Sequence, residues 1–329
     1  MFNDGTGSIF ENSASASLTN TGNFIGQNGA ALNNLSGAVL TNTSGGQLTN
    51  TGTFTRLTNT ATLINDGVGS VLLNTGGATI ANTGALTNRN GALLSNGATI
   101  DNQAGGVLSN QTGGAILNAG SLINRASATL TNDGAGTQVS TLNGGALSND
   151  GAITNRNGGT LKGTGVWNAP IITIGPGATV SPGHSPGTLT MMGEVDFSGI
   201  LDIEVASPTS FDILKVTGAM KFMPGARIGL TFDAPLSGTN PLFDFLQVTG
   251  TIDGFDPAMI FASGGYGDYA ALWNEMCSNG VCDLRLALTL NQTQPVPEPG
   301  MLALLLLAMG GLGAINWRRR LDVPPDLLY

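Results

Sequence analysis

The chain has 329 residues, of which 50 are glycine and only 10% are charged, and its formal net charge is −9. With 12 Lys and Arg residues against 21 Asp and Glu, and a single histidine, it lacks the basic stripe that a nucleic-acid-binding surface needs. We therefore expect no nucleic-acid partner.

The first residues repeat a pattern found further along the chain. The segment Asn3–Asn12 has the layout of Asn65–Asn74, because both open on Asn-Asp-Gly and continue with a second glycine and a serine. The sequence thus begins inside a repeat and without a signal peptide. We expect that the open reading frame is truncated or that its true start lies upstream; the alternative is a pseudogene fragment.

A repeat of about 22 residues dominates residues 1–160. Its clearest mark is an apolar residue followed two positions later by asparagine, in the pairs Leu18 and Asn20, Leu40 and Asn42, Leu63 and Asn65, Leu86 and Asn88, Leu108 and Asn110, Leu130 and Asn132, and Ile153 and Asn155. A second apolar series comprises Ile25, Leu48, Leu72, Leu94, Ile116, Val139 and Leu161, and a third comprises Leu35, Leu57, Ile80, Ile100, Leu122 and Leu147. Short apolar segments separated by Gly, Asn, Asp and Thr predict three short strands per repeat.

Three strands and three turns in about 22 residues predict one coil of a parallel β-helix, an all-β solenoid whose coils stack about 4.8 Å apart. Like residues then lie above one another, so that the Leu and Ile series form a linear core. The asparagines either bond to one another along the stack or occupy corners in the left-handed conformation, which asparagine tolerates. The sequence alone leaves both arrangements open.

The residue between the apolar residue and the asparagine of the first series points outward from its strand. These positions form a row of hydroxyl groups that is interrupted only at Ile64: Thr19, Thr41, Thr87, Ser109, Thr131 and Thr154. One interpretation is a ligand-facing row for glycans or for ice. We favour the other, in which threonine simply suits an outward strand position.

Catalysis on polysaccharides requires clustered carboxylates with a basic partner. Asp66 and Asp133 share a column of the predicted stack but lie three coils apart, and His184 is interpreted as a loop residue. The later acids are spaced as loop and strand-end residues: Asp212, Asp233, Asp244 and Asp256. Three arginines that follow asparagine are interpreted as solvated corner charges: Arg89, Arg125 and Arg156. We expect no catalytic residue, no metal site and no cofactor.

Residues 161–290 lose the 22-residue period but keep alternating strand and turn signals. Seven strands are predicted, at Ile171–Ile174, Thr188–Met192, Ile200–Val205, Ile213–Thr217, Ile228–Phe232, Phe243–Val248 and Leu284–Leu290. Two segments, Gly177–Thr190 and Phe211–Gly218, resemble segments of autotransporter-like β-helix adhesins. We expect further, irregular coils that end in a capping β-structure, because an open end of a stack exposes unpaired strand edges.

The chain has two cysteines, Cys277 and Cys282, separated by Ser-Asn-Gly-Val. Asn-Gly predicts a tight turn that would bring the two sulfur atoms together. In an exported protein a disulfide is the expected state; the alternative is two free thiols in a loop.

The C-terminal residues form three consecutive parts. A linker, residues 291–300, contains Pro297, Glu298 and Pro299; the apolar run 301–317 follows; and a basic tail, residues 318–329, begins with Arg318, Arg319 and Arg320. Seventeen residues span about 26 Å as a helix, enough for the core of a bilayer. The arginines predict that this transmembrane helix has its C-terminus in the cytoplasm.

This order of parts resembles the PEP-CTERM sorting signal of Gram-negative bacteria that make exopolysaccharides. The resemblance implies that Pro297, Glu298 and Pro299 are recognised by an exosortase, a protease of the inner membrane, which releases the protein toward the cell surface or the extracellular matrix. The nine residues after Arg320 depart from the pattern, since members usually end sooner after the basic cluster.

These features predict a surface-sorted, non-catalytic protein that acts as an adhesin or a matrix component and contacts extracellular polysaccharide or the cell surface. Two alternatives remain open. One is a polysaccharide-degrading β-helix enzyme with its site in residues 161–290 or upstream; the other is an ice-binding solenoid that uses the hydroxyl row.

Overall fold

The structure is a computed structural model, and it describes residues 1–35, 37–142, 145–183, 186–207, 209–233, 242–263, 269–278 and 281–290. Side chains are described as far as Phe261, except at residues 242 and 243. The chain divides into two units, Met1–Thr289 and Leu290–Tyr329. Apart from Leu290 the second unit lies outside the described residues, and so do His184, the Pro-Glu-Pro motif, the apolar run 301–317 and the three arginines.

The first unit is an all-β parallel solenoid of about ten coils, which confirms the predicted parallel β-helix; the predicted transmembrane helix stays a prediction. Each regular coil contributes one strand to each of three columns, here called face 1, face 2 and face 3 in the order in which the chain visits them. Face 1 consists of Phe2–Asp4, Asn23–Gln27, Gln47–Thr51, Val71–Thr75, Leu93–Asn96, Ala115–Asn118, Gln138–Thr141, Thr160–Gly163, Thr179–Pro182, Ile200–Ser207, Arg227–Phe232 and Ile260–Ser263.

Faces 2 and 3 belong to the second sheet. The strands of face 2 are Ile9–Asn12, Ala31–Asn34, Arg56–Asn59, Thr79–Asn82, Thr99–Asn102, Ser121–Asn124, Ala146–Asn149, Ile213–Val216 and Leu242–Val248. Those of face 3 are Ser17–Asn20, Val39–Thr43, Thr62–Asp66, Ala85–Arg89, Val107–Gln111, Thr129–Asp133, Ala152–Arg156, Met220–Phe222 and Ile252–Asp253. Two longer strands, Gly165–Ile174 and Thr188–Phe197, run across both faces.

The remaining elements lie outside the coil pattern. Ser210–Phe211 pairs antiparallel with Ile200–Ser207, and Pro257–Met259 is a single turn of 3-10 helix. The last strands are Tyr269–Ser278 and Val281–Leu290, and the latter pairs antiparallel with Leu242–Val248. Among the described residues, no helical segment has the length and apolar composition needed to cross a bilayer.

The predicted stacking of like residues is confirmed on all three faces. Leu63, Leu86 and Leu108 are consecutive register partners on face 3, and each is at most 1% exposed. Two assignments were wrong. Phe24, not Ile25, is the partner of Leu48, and Leu32, not Leu35, is the partner of Leu57. Ile25 is one residue out of step and therefore faces outward, because successive side chains of a strand point to opposite sides.

The structure decides between the two arrangements of asparagine in favour of bonding along the stack. On face 3 each asparagine from Asn20 to Asn132 donates its Nδ2 to Oδ1 of the asparagine one coil later, over 2.7–2.8 Å. A second ladder begins at Asn12 on face 2, and a shorter one at Asn50 on face 1. The left-handed corners use other asparagines, namely Asn28, Asn90 and Asn157.

All seven strands predicted within residues 161–290 are present. The stack continues through the first six, whereas Leu284–Leu290 belongs to the antiparallel last strand. Ile153 pairs with Ile172, and Ile172 with Val195. The period fades because apolar residues replace the asparagines: the partner of Asn155 is Ile174, followed by Phe197 and Phe222. Phe197 and Phe222 pack edge to face with their centroids 5.8 Å apart. The boundary placed at residue 160 remains a prediction.

Candidate functional site

Face 3 presents two outward rows that run parallel to the solenoid axis. The predicted hydroxyl row is in register, since Thr19 pairs with Thr41 and the pairing continues through Ile64 to Thr154. The neighbouring row consists of Ser17, Val39, Thr62, Ala85, Val107, Thr129 and Ala152. Neither row contains a charged residue, so over seven coils these rows present only polar and apolar side chains.

Charged residues border this surface along one edge. The outward residues at the ends of the face 3 strands are stacked in the order Thr43, Asp66, Arg89, Gln111, Asp133 and Arg156. Asp66 and Asp133 are three coils apart, as the sequence predicted. The structure adds that each acid has an arginine directly above it in the next coil.

Each of these acids forms the same cluster of contacts, which we call a corner clasp. Arg89 Nη2 lies 3.0 Å from Asp66 Oδ2, and Asn90 Nδ2 donates to Asp66 Oδ1 at 2.7 Å. One clasp later, Arg156 Nη2 lies 2.9 Å from Asp133 Oδ2 and Asn157 donates to Oδ1 at 2.8 Å. The two clasps therefore bind successive coils together at the corner between face 3 and face 1.

The pKa values of the clasp acids follow from these contacts. Partial burial raises the pKa of Asp66, but hydrogen bonds from Arg89 and Asn90 and the arginine charge outweigh it, and the net pKa is below its usual value. For Asp133 the hydrogen bond from Asn157 is the largest cause of a lowered pKa. Both carboxylates stay ionised at neutral pH.

A third ion pair joins two coils on face 2. Arg125 Nε donates to Asp101 Oδ1 at 2.6 Å and its Nη2 to Oδ2 at 3.1 Å, which is the two-pronged geometry that guanidinium favours. The interpretation of the three arginines as solvated charges was therefore incomplete. Their side chains are 40–53% exposed, yet each bonds to an aspartate one coil earlier.

Face 1 of the later coils carries a group of acids of which the sequence analysis considered only Asp233. Asp202 and Glu204 are outward residues of Ile200–Ser207; Thr231 donates to Asp202 at 3.4 Å, and Glu204 shares a hydrogen bond with Asp233. Burial raises the pKa of Asp202 and of Glu204, and the charge of Asp233 raises that of Glu204 further. Lys162 is near enough to oppose both shifts. The signal in the sequence was Asp-Ile-Glu, an alternation that places both acids on one side of a strand.

Asp212, predicted to be a loop or strand-end residue, is buried. It is 1% exposed, and its carboxylate accepts hydrogen bonds from the backbone N–H of Gly187 at 2.9 Å and of Glu204 at 3.0 Å. Burial raises its pKa to about 6, against the opposing effect of the two backbone hydrogen bonds. Within the part of the chain that the structure describes, no three His, Cys, Asp or Glu residues are placed to hold a metal ion.

Several predicted residues cannot be placed. The backbone of Cys277 and Cys282 lies in the last two strands, but their side chains are outside the described residues, so the disulfide remains a prediction. The sorting residues Pro297, Glu298 and Pro299 and the basic residues Arg318, Arg319 and Arg320 are also outside them.

The solenoid and the C-terminal segment together define the class of this protein: an exported parallel β-solenoid with a sorting signal. Residues 295–320 match the family described as the PEP-CTERM protein-sorting motif. That motif implies processing by an exosortase and export to the cell envelope or surface. None of the curated proteins compared with the chain matches it.

Among solved structures, the chain is similar to the TibC-catalyzed hyper-glycosylated TibA55-350 fragment. The two chains share 14% sequence identity with a TM-score of 0.29, and the match covers 80% of this chain and 98% of that chain.

Proposed function

We propose that this protein is a non-catalytic, surface-sorted rod that acts as an adhesin or structural component of an exopolysaccharide matrix. The observation that carries the proposal is the sorting motif at residues 295–320, following a solenoid of about ten coils. Face 3 of such a rod presents long rows of uncharged polar and apolar side chains. Repeated weak contacts along its length would then replace one tight binding site, since linked contacts gain strength through effective concentration.

The sorting step requires an exosortase and, before cleavage, a membrane anchor formed by residues 301–317. Glu298→Ala in the producing bacterium tests this step, with Glu194→Ala, an exposed rod residue, as the matched control. We expect the Glu298 variant to accumulate in the inner-membrane fraction with its C-terminus cytoplasmic, while the control reaches the surface. Equal release of the two variants would reject the motif as the sorting signal.

Contact with the matrix is tested on polysaccharide isolated from the same bacterium. We expect the full chain in mild detergent to sediment with the polymer without lowering its viscosity or creating new reducing ends. Failure to sediment with the polymer, while sorting is intact, would remove the matrix role and leave only the exported rod.

The second candidate is a polysaccharide-degrading enzyme, and the acids on face 1 favour it. A carboxyl group with a raised pKa beside an ionised carboxylate is the arrangement of a glycosidase. Against this, Glu204 and Asp233 share a hydrogen bond, whereas glycosidase carboxyls stand about 5–9.5 Å apart with the sugar between them. Polymer cleavage that is lost in Glu204→Gln and kept in Glu194→Gln would establish the enzyme instead.

The third candidate is ice binding through the hydroxyl row of face 3, which is favoured by the regular stacking of its members. Thermal hysteresis measured before and after replacing Thr87 and Thr131 with tyrosine tests it. An activity abolished by the double substitution would support ice binding, and an absence of hysteresis in the unmodified chain would exclude it.

A further inference from the structure

The charges along the edge of face 3 are ordered so that an antiparallel copy of the same edge would place an opposite charge beside each of them. Read along the axis from Asp66 to Arg156, its charges are negative, positive, neutral, negative and positive. Read backward, they are positive, negative, neutral, positive and negative. An antiparallel copy of the row therefore places an opposite charge against every charge, with Gln111 at the centre.

We propose that two copies of this chain associate face to face through face 3, with their axes antiparallel. The two-fold axis lies along the strand direction and passes through the coil of Val107, Ser109 and Gln111. A rotation about this axis keeps the charged edge on the charged edge while reversing the order of the coils. Asp66 then faces the partner's Arg156, and Arg89 faces the partner's Asp133.

The surface inside the edge suits such an interface. Over the five coils that this axis pairs, its two rows hold only Ser, Thr, Ala, Val and one Ile, so no buried charge has to be desolvated there when two sheets pack about 10 Å apart. Val107, on the proposed axis, is 39% exposed and belongs to the few large apolar side chains exposed on the rod. It would contact its own equivalent at the centre of the interface, where apolar anchors contribute most.

The area indicates a weak, reversible dimer. The axis through the coil of Val107 pairs the five coils from Asp66 to Arg156 with one another. At about 4.8 Å per coil and strands of four to five residues, they give a footprint of roughly 350 Å² per copy. The total of about 700 Å² is below the roughly 1,000 Å² of stable interfaces and in the range of weak, transient contacts. The charges set the direction and register of the pair. The ion pair inside each clasp remains, and each of its two charges lies opposite a charge of opposite sign in a clasp of the other copy.

Face 1 is the competing surface, because Val71, Leu73, Leu93 and Leu117 make its outward rows more apolar. The charged row at the corner between face 3 and face 1 consists of outward residues of the face 3 strands, whereas the outward rows of face 1 over these coils hold no charged residue that could select a direction. Face 3 has that row, and for this reason we assign the interface to face 3. The assignment does not depend on the matrix role, since the pairing would occur in purified protein.

Charge exchange within a clasp gives the decisive test. The double variant Asp66→Arg/Arg89→Asp keeps an ion pair inside the chain but turns the edge into positive, negative, neutral, negative, positive, so that every antiparallel contact joins like charges. Adding Asp133→Arg/Arg156→Asp restores complementarity throughout. Sedimentation velocity of the full chain in mild detergent at low salt should show dimerisation weakened at least about tenfold in the double variant and recovered in the quadruple variant.

Apolar substitutions test the location independently. Val107→Lys places two ammonium groups together on the axis and should weaken dimerisation at least about tenfold. Val166→Lys, on face 2 with 40% exposure, and Leu93→Lys, on face 1, should leave it within about twofold. Association through the C-terminal segment would be common to all variants and would not respond to the charge exchange.

Three results would overturn the proposal. One is a chain that stays monomeric up to about 1 mM at low salt. Another is dimerisation that is sensitive to Leu93→Lys and insensitive to Val107→Lys. The last is a quadruple variant that folds, as judged by circular dichroism, yet associates no better than the double variant.

Discussion

Asn65 donates its side-chain amide to Oδ1 of Asn88 at 2.8 Å, one coil further along the axis, and both residues are completely buried. Asn88 donates in turn to the backbone oxygens of Ala92 at 3.0 Å and Ala115 at 2.9 Å, as well as to Asn110. One amide thus closes its own turn and joins three successive coils. Buried polar groups satisfied on every side are far more costly to disturb than exposed ones.

We therefore predict that Asn88→Asp destabilises the rod by roughly 3–5 kcal/mol, because a carboxylate cannot donate to these oxygens and its charge is buried among them. Asn168→Asp is the control, since Asn168 is an exposed outward residue of the same solenoid; it should change stability by less than about 0.5 kcal/mol. Urea unfolding followed by circular dichroism measures both variants. Similar midpoints would mean that the ladder contributes no more than a surface amide.

Part of this architecture can be predicted from the sequence, but the position of the asparagine side chains cannot. The returns of Leu and Asn predict which residues stack, because a constant spacing leaves few other folds. They could not decide whether Asn88 lies inside or at a corner, since asparagine suits both. Ile25 and Leu35 were assigned in place of Phe24 and Leu32, because the choice among nearby apolar positions depends on where each strand begins.

The grouping of the acids on face 1 was missed for a different reason. Asp202 and Asp233 are 31 positions apart in number, and only the register of coils without asparagines brings Asp202, Glu204 and Asp233 together. Where the period fades, the sequence still predicts strands, but it no longer predicts which outward residues share a face. The buried state of Asp212 depends in the same way on packing between strands that have no repeated signature.

The clasps should contribute modestly to the free energy of unfolding at neutral pH and not at all in strong acid. Asp133→Asn removes the pair with Arg156 and should lower stability by at most about 1 kcal/mol, since the arginine is 52% exposed. The pKa of Asp133 is lowered on folding, so its contribution is present above its ordinary pKa near 3.8 and is lost as pH falls through the folded value. Urea unfolding of both proteins at several pH values checks this. A difference that grows in acid would contradict it.

Asp212 should produce the opposite pH dependence in the later coils. Its folded pKa of about 6 exceeds the ordinary aspartate value of 3.8. The stability contributed by protonated Asp212 is therefore complete below pH 3.8, and about 3 kcal/mol of it is lost as the pH rises to about 6. Asp212→Asn cannot titrate and should remove this slope, while also losing one acceptor for the N–H groups of Gly187 and Glu204. Hydrogen-exchange protection factors of Ile200–Ser207, measured from pH 4 to 7 in both proteins, test the prediction. Parallel curves would contradict it.

Gly193 should be irreplaceable, because it lies within Thr188–Phe197 where that strand crosses from face 2 to face 3 without a loop. Its φ is +133°, and a Cβ there would lie 1.7 Å from the backbone oxygen of Ala169, a residue of the buried core. Neither atom can yield without moving a strand, so we predict that Gly193→Ala costs more than about 3 kcal/mol. Gly22→Ala is the matched control, with nothing within 4 Å of the added carbon, and should change stability by less than about 0.5 kcal/mol. The urea midpoints of the two variants compare them directly. Equal midpoints would contradict the prediction, because they would mean that a Cβ at Gly193 costs no more than one at Gly22.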